Sequence, residues 1–284
     1  MLTESFLEHI SHVIDYKTQN IKSISGGDIA SAYLLETSTE KLFLKVHSNV
    51  KLLQAEAHAL NTIANTNCVA TPNVHAIGNY ENDGFLVMEF IESKSPSSKD
   101  FELFGKQLAQ LHQTTTAHFG SDHNNFIGSL PQSNNQHSNW LEFYTEERLN
   151  PQLQLALDKG YLERKELPSL DKLKATCSEC FTNIKPSLLH GDLWGGNFLI
   201  STDGVPYLID PSTYFGHAEV DIAMSKLFGG FSSLFYESYH KIIPQEQYTL
   251  TRIELYQLYY LLVHLNLFGS SYYRSVKHIL TKYF

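Results

Sequence analysis

Leu188-Leu-His-Gly-Asp-Leu-Trp-Gly-Gly-Asn-Phe-Leu-Ile200 is the stretch from which the fold of this chain can be read. An apolar, strand-like piece at 187–190 delivers a His, an Asp and an Asn into a glycine-bearing loop, and a second apolar run follows it. Asn197 stands five residues after Asp192, and Asp210, followed by Pro211, ends a further strand thirteen residues after Asn197. One hairpin-like unit is therefore expected to present Asp192, Asn197 and Asp210 along a single rim.

Carboxylate and amide oxygens suit a hard cation such as Mg²⁺, which keeps its other positions for water and phosphate oxygens. The spacing matches the protein-kinase pattern H-x-D-x-x-x-x-N followed by a metal-binding Asp. On that reading Asp192 accepts the proton of an attacking hydroxyl, while Asn197 and Asp210 hold Mg²⁺. Singly, each residue reads as a turn former, and His190 as a satisfied core histidine. The joint spacing between two apolar strands favours the catalytic reading.

Kinase chemistry also needs a lysine on phosphate and a carboxylate that positions it. In Lys41-Leu-Phe-Leu-Lys-Val46, Lys45 is internal to a strand. In the helix that follows, Leu52, Glu56, Ala59, Leu60 and Ile63 share one stripe, which places Glu56 on an apolar face. A carboxylate there is costly unless paired, and Lys45 is the candidate cation. Between the first two strands, Gly26 and Gly27 in Ser25-Gly-Gly-Asp-Ile-Ala-Ser-Ala-Tyr33 would let backbone amides approach a phosphate, although a Gly-Gly pair also makes an ordinary hairpin turn. No G-x-x-x-x-G-K-[ST] occurs, so a P-loop fold is not supported.

Short β-type segments at 21–25, 32–37 and 41–47, a helix at 50–65, and strands at 74–78 and 85–91 around Glu81-Asn-Asp-Gly84 predict a small antiparallel sheet with one main helix. The run 92–98 turns polar. Beyond it helical patterns at 101–115, 140–149, 151–159, 170–183 and from 220 onward dominate. The expected organisation is α+β: a lobe at 1–91, a linker at 92–98 and a larger, mainly helical lobe at 99–284.

The 284 residues carry 21 Lys+Arg against 30 Asp+Glu, a net charge of −9. That balance argues against a nucleic-acid partner, which needs a clustered basic surface. No stretch reads as a membrane span or a secretory signal, and an odd, small number of cysteines fits a reducing cytoplasm. Cys177-Ser-Glu-Cys180 has redox-pair spacing but no second pair to complete a zinc shell, and reads as two cysteines one helical turn apart.

With these residues assembled, the chain resembles the kinase-like phosphotransferases that include aminoglycoside and choline kinases, and most closely the fructosamine (ketosamine) kinase family. The resemblance runs over almost the whole chain. It is carried by Ser25–Tyr33, Phe43-Leu-Lys-Val46, Met88-Glu-Phe-Ile91, Asn125–Gln132, Asn139–Leu149, His190–Asn197, Gly216–Met224 and Leu227-Phe-Gly-Gly-Phe231. It implies a two-lobed protein-kinase-like fold, with Met88, Glu89, Phe90 and Ile91 as the hinge that takes adenine. It further implies ATP- and Mg²⁺-dependent phosphorylation of the hydroxyl on a sugar's third carbon in ketosamines, either small molecules or glycated protein lysines; a monomer is expected. Asp221 is then expected to brace the catalytic loop, and Phe126, Trp140, Trp194 and His217 are candidates for the sugar pocket, each equally readable as packing. Ser212-Thr213 and Asn139 depart from residues common in relatives. The rival readings are the same fold acting on an aminoglycoside, choline or a free sugar, an inactive binding protein, and a metal-dependent hydrolase built on His190, Asp192, Asp210 and His217.

Overall fold

A computed structural model describes residues 2–24 and 30–284 and divides the chain into two compact units. One comprises Met1–Pro96 with Leu199–Pro211, the other Ser97–Phe198 with Ser212–Phe284. The segment 199–211, which falls within the larger lobe in a division by sequence, thus belongs with the smaller unit.

The smaller unit opens with α1 (Glu4–Val13), whose Thr3 cap accepts the Phe6 N–H at 3.2 Å. The strands β1 (Thr18–Ile24), β2 (Ser31–Thr37), β3 (Lys41–His47), β4 (Val74–Tyr80) and β5 (Asp83–Glu89) form an antiparallel sheet in the order β1-β2-β3-β5-β4. Helix α2 (Val50–Ala64) packs on one face and α1 on the other. Phe6 and Ile10 meet Leu42, Leu44, Val46, Phe85 and Val87, while Leu53, Ala57 and Leu60 cover Leu86 and Met88. Both faces of β5 are therefore buried, which explains its unbroken apolar run. Strand alternation sends Leu44 and Val46 toward α1 and leaves Lys45 on the α2 side.

The hairpin between β4 and β5 turns at Glu81-Asn82, with Glu81 at φ +52° and Tyr80 paired to Asp83. Asp83-Gly84 lies within the strand instead. A side chain on Gly84 would meet the Val50 backbone at 2.7 Å, so the glycine admits the start of α2 rather than making the turn. Polar residues 92–98 contain β6 (Ser93–Lys94).

The larger unit begins at α3 (Ser98–His112), closed by a capping box in which Ser97 and Asp100 exchange side-chain and backbone hydrogen bonds. A hairpin of β7 (Asn125–Ile127) and β8 (Leu130–Gln132) precedes α4 (Trp140–Phe143), which runs on as a π-helix over Tyr144–Leu149 and then as α5 (Asn150–Asp158). After α6 (Leu170–Ser178) and β9 (Ser187–Leu188), the chain returns to the smaller unit through β10 (Phe198–Ser201) and β11 (Pro206–Leu208). There β10 pairs with β6 and Tyr207 bridges Ala70, which is why this segment joins the first ninety-odd residues. Strand β12 (Phe215–Gly216) pairs back onto β9. The remaining chain is helical: α7 (Glu219–Leu227), α8 (Ser233–His240), α9 (Thr249–Phe268) and α10 (Tyr273–Tyr283). Helix α9 is buried along most of its length and forms the axis of this unit's core. Among the described residues no helix is long and apolar enough to cross a membrane.

Candidate active site

The smaller unit brings Lys45, Glu56 and Asp210 together. Lys45 Nζ donates to Glu56 Oε1 at 2.7 Å and also to Asp210 Oδ1, with Lys45 only 7% exposed. The apolar stripe of α2 runs through Leu53, Ala57 and Leu60, one residue along from Leu52 and Glu56. Glu56 therefore sits at the edge of the stripe, where it reaches Lys45.

Burial alone would strip the ammonium of its proton, but the charges of Asp210 and Glu56 outweigh it and raise the Lys45 pKa. Glu56 is pushed up to about 8, chiefly by burial, with the neighbouring Asp210 charge opposing its ionisation. One ammonium faces two carboxylates, and Glu56 is the one driven toward its protonated, neutral form. Asp210 holds φ +53°, a left-handed conformation that costs a non-glycine residue on the order of 1 kcal/mol and that Asp tolerates better than most.

In the larger unit the loop after β9 is held from below. Asp221, fully buried at the start of α7, accepts the His190 N–H at 2.7 Å and the Gly191 N–H at 2.9 Å, one on each carboxylate oxygen. His112 Nε2 lies 3.1 Å from Asp221 Oδ2, and its Nδ1 lies 2.7 Å from the Tyr239 hydroxyl. Burial would raise the Asp221 pKa, yet the His112 and backbone donors lower it on balance. As a carboxylate Asp221 accepts from Nε2–H. Tyr260, on α9, gives its O–H to the Gly191 carbonyl at 2.8 Å. Gly191 itself has φ +86°, and a side chain there would strike the Ser212 carbonyl at 2.1 Å.

On this base Asn197 Nδ2 donates to both the Asp192 carbonyl (2.8 Å) and Asp192 Oδ2 (3.0 Å). Asp192 is thereby oriented, and the Asn197 amide keeps its Oδ1 as an acceptor. Asn197 Oδ1 and the Asp210 carboxylate are oxygen donors of the kind Mg²⁺ accepts alongside water and phosphate. Among the described residues no group of three His, Cys, Asp or Glu is gathered as a dedicated metal cage.

The other predicted residues divide by exposure. Met88 is a buried strand residue, Glu89 is tied to the backbone and side-chain N–H of Asn73, and Phe90 and Ile91 follow where the paired ladder stops at Leu42 and Glu89. Trp194 is 41% exposed and its ring lies on Gly196, where a Cβ would come within 2.4 Å of it. Trp140, by contrast, is 2% exposed and gives its indole N–H to Tyr256 at 2.9 Å, so it offers a ligand almost no surface and acts as packing. His217 lies 2.8 Å from the same Tyr256 hydroxyl, and burial depresses its pKa to about 4. The Phe126 carbonyl accepts from Ser212 Oγ at 2.6 Å. Gly26 and Gly27 lie outside the described residues.

Sequence reasoning missed a buried polar layer beside this loop. Arg148, fully buried in the π-helical turn, is stacked 4.0 Å from the Tyr214 ring centroid and donates to Asn134 Oδ1 and the Ser133 carbonyl, each at 2.6 Å. Asn134 and Gln132 both donate to Asn125 Oδ1, and Asn125 Nδ2 donates to the Thr213 carbonyl at 3.0 Å. The hairpin β7–β8 thereby clamps the segment that follows Pro211. A π-helical turn is the available structural flag, since such turns recur at functional places; nothing in the residue spacing announces it.

A lysine on a small antiparallel sheet paired with a glutamate on the helix that packs against it, together with a braced H-x-D-x-x-x-x-N loop, define a phosphotransferase of protein-kinase-like fold. The fructosamine kinase family model matches residues 3–284, and the chain belongs to that family. It is 36% identical over 269 residues to a "Probable ketoamine kinase" of Lactiplantibacillus plantarum, covering 93% of this chain and 94% of the relative. It is 37% identical over 270 residues to the chloroplastic protein-ribulosamine 3-kinase of Arabidopsis thaliana, covering 93% and 82%. Among solved structures, a Haemophilus somnus protein assigned as a fructosamine-3-kinase superposes with a TM-score of 0.88 at 30% identity, with 96% of each chain covered. An aminoglycoside phosphotransferase holding ADP and hygromycin B reaches 0.66 at 14% identity, which establishes the shared fold.

Proposed function

We propose that this enzyme transfers the γ-phosphoryl group of ATP to the third-carbon hydroxyl of a ketosamine, the sugar adduct of a small amine or of a protein lysine. The observation that carries the reading is the oriented Asp192, held by Asn197 on a loop whose backbone N–H groups are fixed by Asp221. Asp192 takes the proton of the acceptor hydroxyl as its oxygen bonds to phosphorus and the bond to the ADP oxygen breaks. Lys45 neutralises phosphate charge and Glu56 holds it in position. Gly26, Gly27 and the Met88–Ile91 run complete the nucleotide's surroundings, which makes the smaller unit the nucleotide-holding part and the larger one the acceptor-holding part. Bound Mg²⁺ would supply positive charge against the phosphates, and Asp210 and Asn197 carry the oxygens for it. Most of the catalysis is then placement and charge stabilisation.

Phosphate transfer from ATP with Mg²⁺ to ribuloselysine, measured beside choline and kanamycin, tests this. Transfer to ribuloselysine is expected; turnover of choline or kanamycin alone removes the ketosamine assignment.

A further inference from the structure

Along α9, Tyr256, Tyr260, His264 and Phe268 recur every fourth residue and so share one stripe of the helix. Its second member touches the catalytic loop, through Tyr260 O–H to the Gly191 carbonyl. Four residues on, the stripe reaches the surface. His264 has its ring 4.6 Å from Phe228, 5.4 Å from Phe268 and 5.1 Å from Tyr272, centroid to centroid. Phe228 is 41% and Phe268 53% exposed. Burial holds the His264 imidazole below its usual range, and its Nδ1 is engaged with the Tyr260 carbonyl, so the platform is uncharged.

Scattered exposed rings are ordinary; a contiguous aromatic surface marks a binding place. This one is joined to the catalytic loop by a second route. Phe228 is followed by Gly229 and Gly230, both with positive φ, and their backbone lies against Gly195, three residues after Asp192. A side chain on Gly195 would meet the Gly229 carbonyl at 3.2 Å and one on Gly230 would meet Gly195 Cα at 3.0 Å. Two Cβ-free stretches of backbone thus bring Phe228 and its ring cluster beside the loop that carries Asp192, with open space over Gly229.

We infer that Phe228, His264, Phe268 and Tyr272 form an acceptor subsite that takes the apolar or aromatic group borne on the ketosamine's amine nitrogen; this rests on the ketosamine reading above. The sugar's hydroxyl must lie at Asp192, and the remainder of the acceptor runs out along the glycine contact onto the rings. Aromatic faces favour hydrocarbon and aromatic groups over a bare carboxylate.

The test compares kcat/KM for two ketosamines, those of ribulose with benzylamine and with glycine, using the full chain with ATP and Mg²⁺. The unsubstituted enzyme is expected to favour the benzylamine adduct, and Phe268→Ala to lower that preference roughly threefold to tenfold, mainly through KM. Phe268 is half exposed, so this substitution removes little packing. Leu250→Ala, at an apolar residue 73% exposed elsewhere on α9, is expected to keep the preference. An unchanged preference in both Phe268→Ala and Phe228→Ala overturns the subsite. Loss of a dimer in sedimentation with the preference intact overturns it too and gives the face to a second copy. Absence of transfer to either adduct overturns the ketosamine reading along with it.

Discussion

Lys45, Glu56 and Asp210 in the smaller unit and Asp221, His112 and Tyr239 in the larger are both buried polar clusters, but their charges balance differently. In the first, one ammonium serves two carboxylates, and Glu56 is pushed up to about 8 by burial and by Asp210. In the second, one carboxylate receives two backbone N–H groups and an imidazole, and its pKa falls. The first cluster has charge to re-partner when a polyphosphate and a cation arrive. The second has nothing left to give, and its product is a fixed loop geometry.

The sharpest way to use this contrast is to remove the group that the closed cluster serves. Asp192→Asn is expected to lower turnover by about 10²- to 10⁴-fold while ATP still binds, as read by single-turnover transfer and calorimetry. Near-normal turnover would refute Asp192 as the base. Breaking the closed cluster itself, Asp221→Ala strands the His190 and Gly191 N–H groups and is expected to cost about 3–5 kcal/mol in denaturant unfolding. A loss below about 1 kcal/mol would show that the brace is not what holds the loop.

His217 extends the comparison to pH. It is neutral in the folded protein, with a pKa of about 4 against an ordinary value of 6.5. A depressed histidine contributes stability that is complete above pH 6.5 and lost as pH falls toward 4, on the order of 3 kcal/mol over that window. His217→Gln should flatten that acid limb of the stability curve; an unaltered limb assigns the acid sensitivity to other groups. The smallest effect on stability is expected in the open cluster. Replacing Lys45, Glu56 and Asp210 together by Met, Leu and Asn, so that no carboxylate is left without its ammonium, should change unfolding free energy by no more than about 1 kcal/mol and abolish transfer, because a buried ion cluster contributes little beyond uncharged groups of similar size. A loss as large as that of Asp221→Ala would erase the distinction between the clusters.

How far the sequence reveals these clusters depends on the range of the contacts. Asp192 and Asn197 are legible because they stand five positions apart between two apolar strands, and Lys45 with Glu56 because strand and helix periods place both on facing surfaces. Glu56 sits at the stripe's edge rather than its centre, a difference of one residue that periodicity does not resolve. The brace by Asp221 follows from resemblance, since nothing local ties it to His190, thirty-one residues away. His112, Tyr239, Tyr260 and Arg148 are silent in the sequence for the same reason: a buried polar residue becomes intelligible only when its distant partner is known. Trp140 shows the converse. An aromatic in a family motif looks like a sugar platform, and burial at 2% makes it part of the core.

The membership of Leu199–Pro211 in the smaller unit bears on how the protein is made. The chain passes between units at three points, after residues 96, 198 and 211. During synthesis, β6 waits for its partner strand β10, and Lys45 and Glu56 wait for Asp210, until more than two hundred residues have left the ribosome. The smaller unit is therefore no excisable module, and a chimera between relatives must exchange 1–96 and 199–211 together to keep its ion cluster intact.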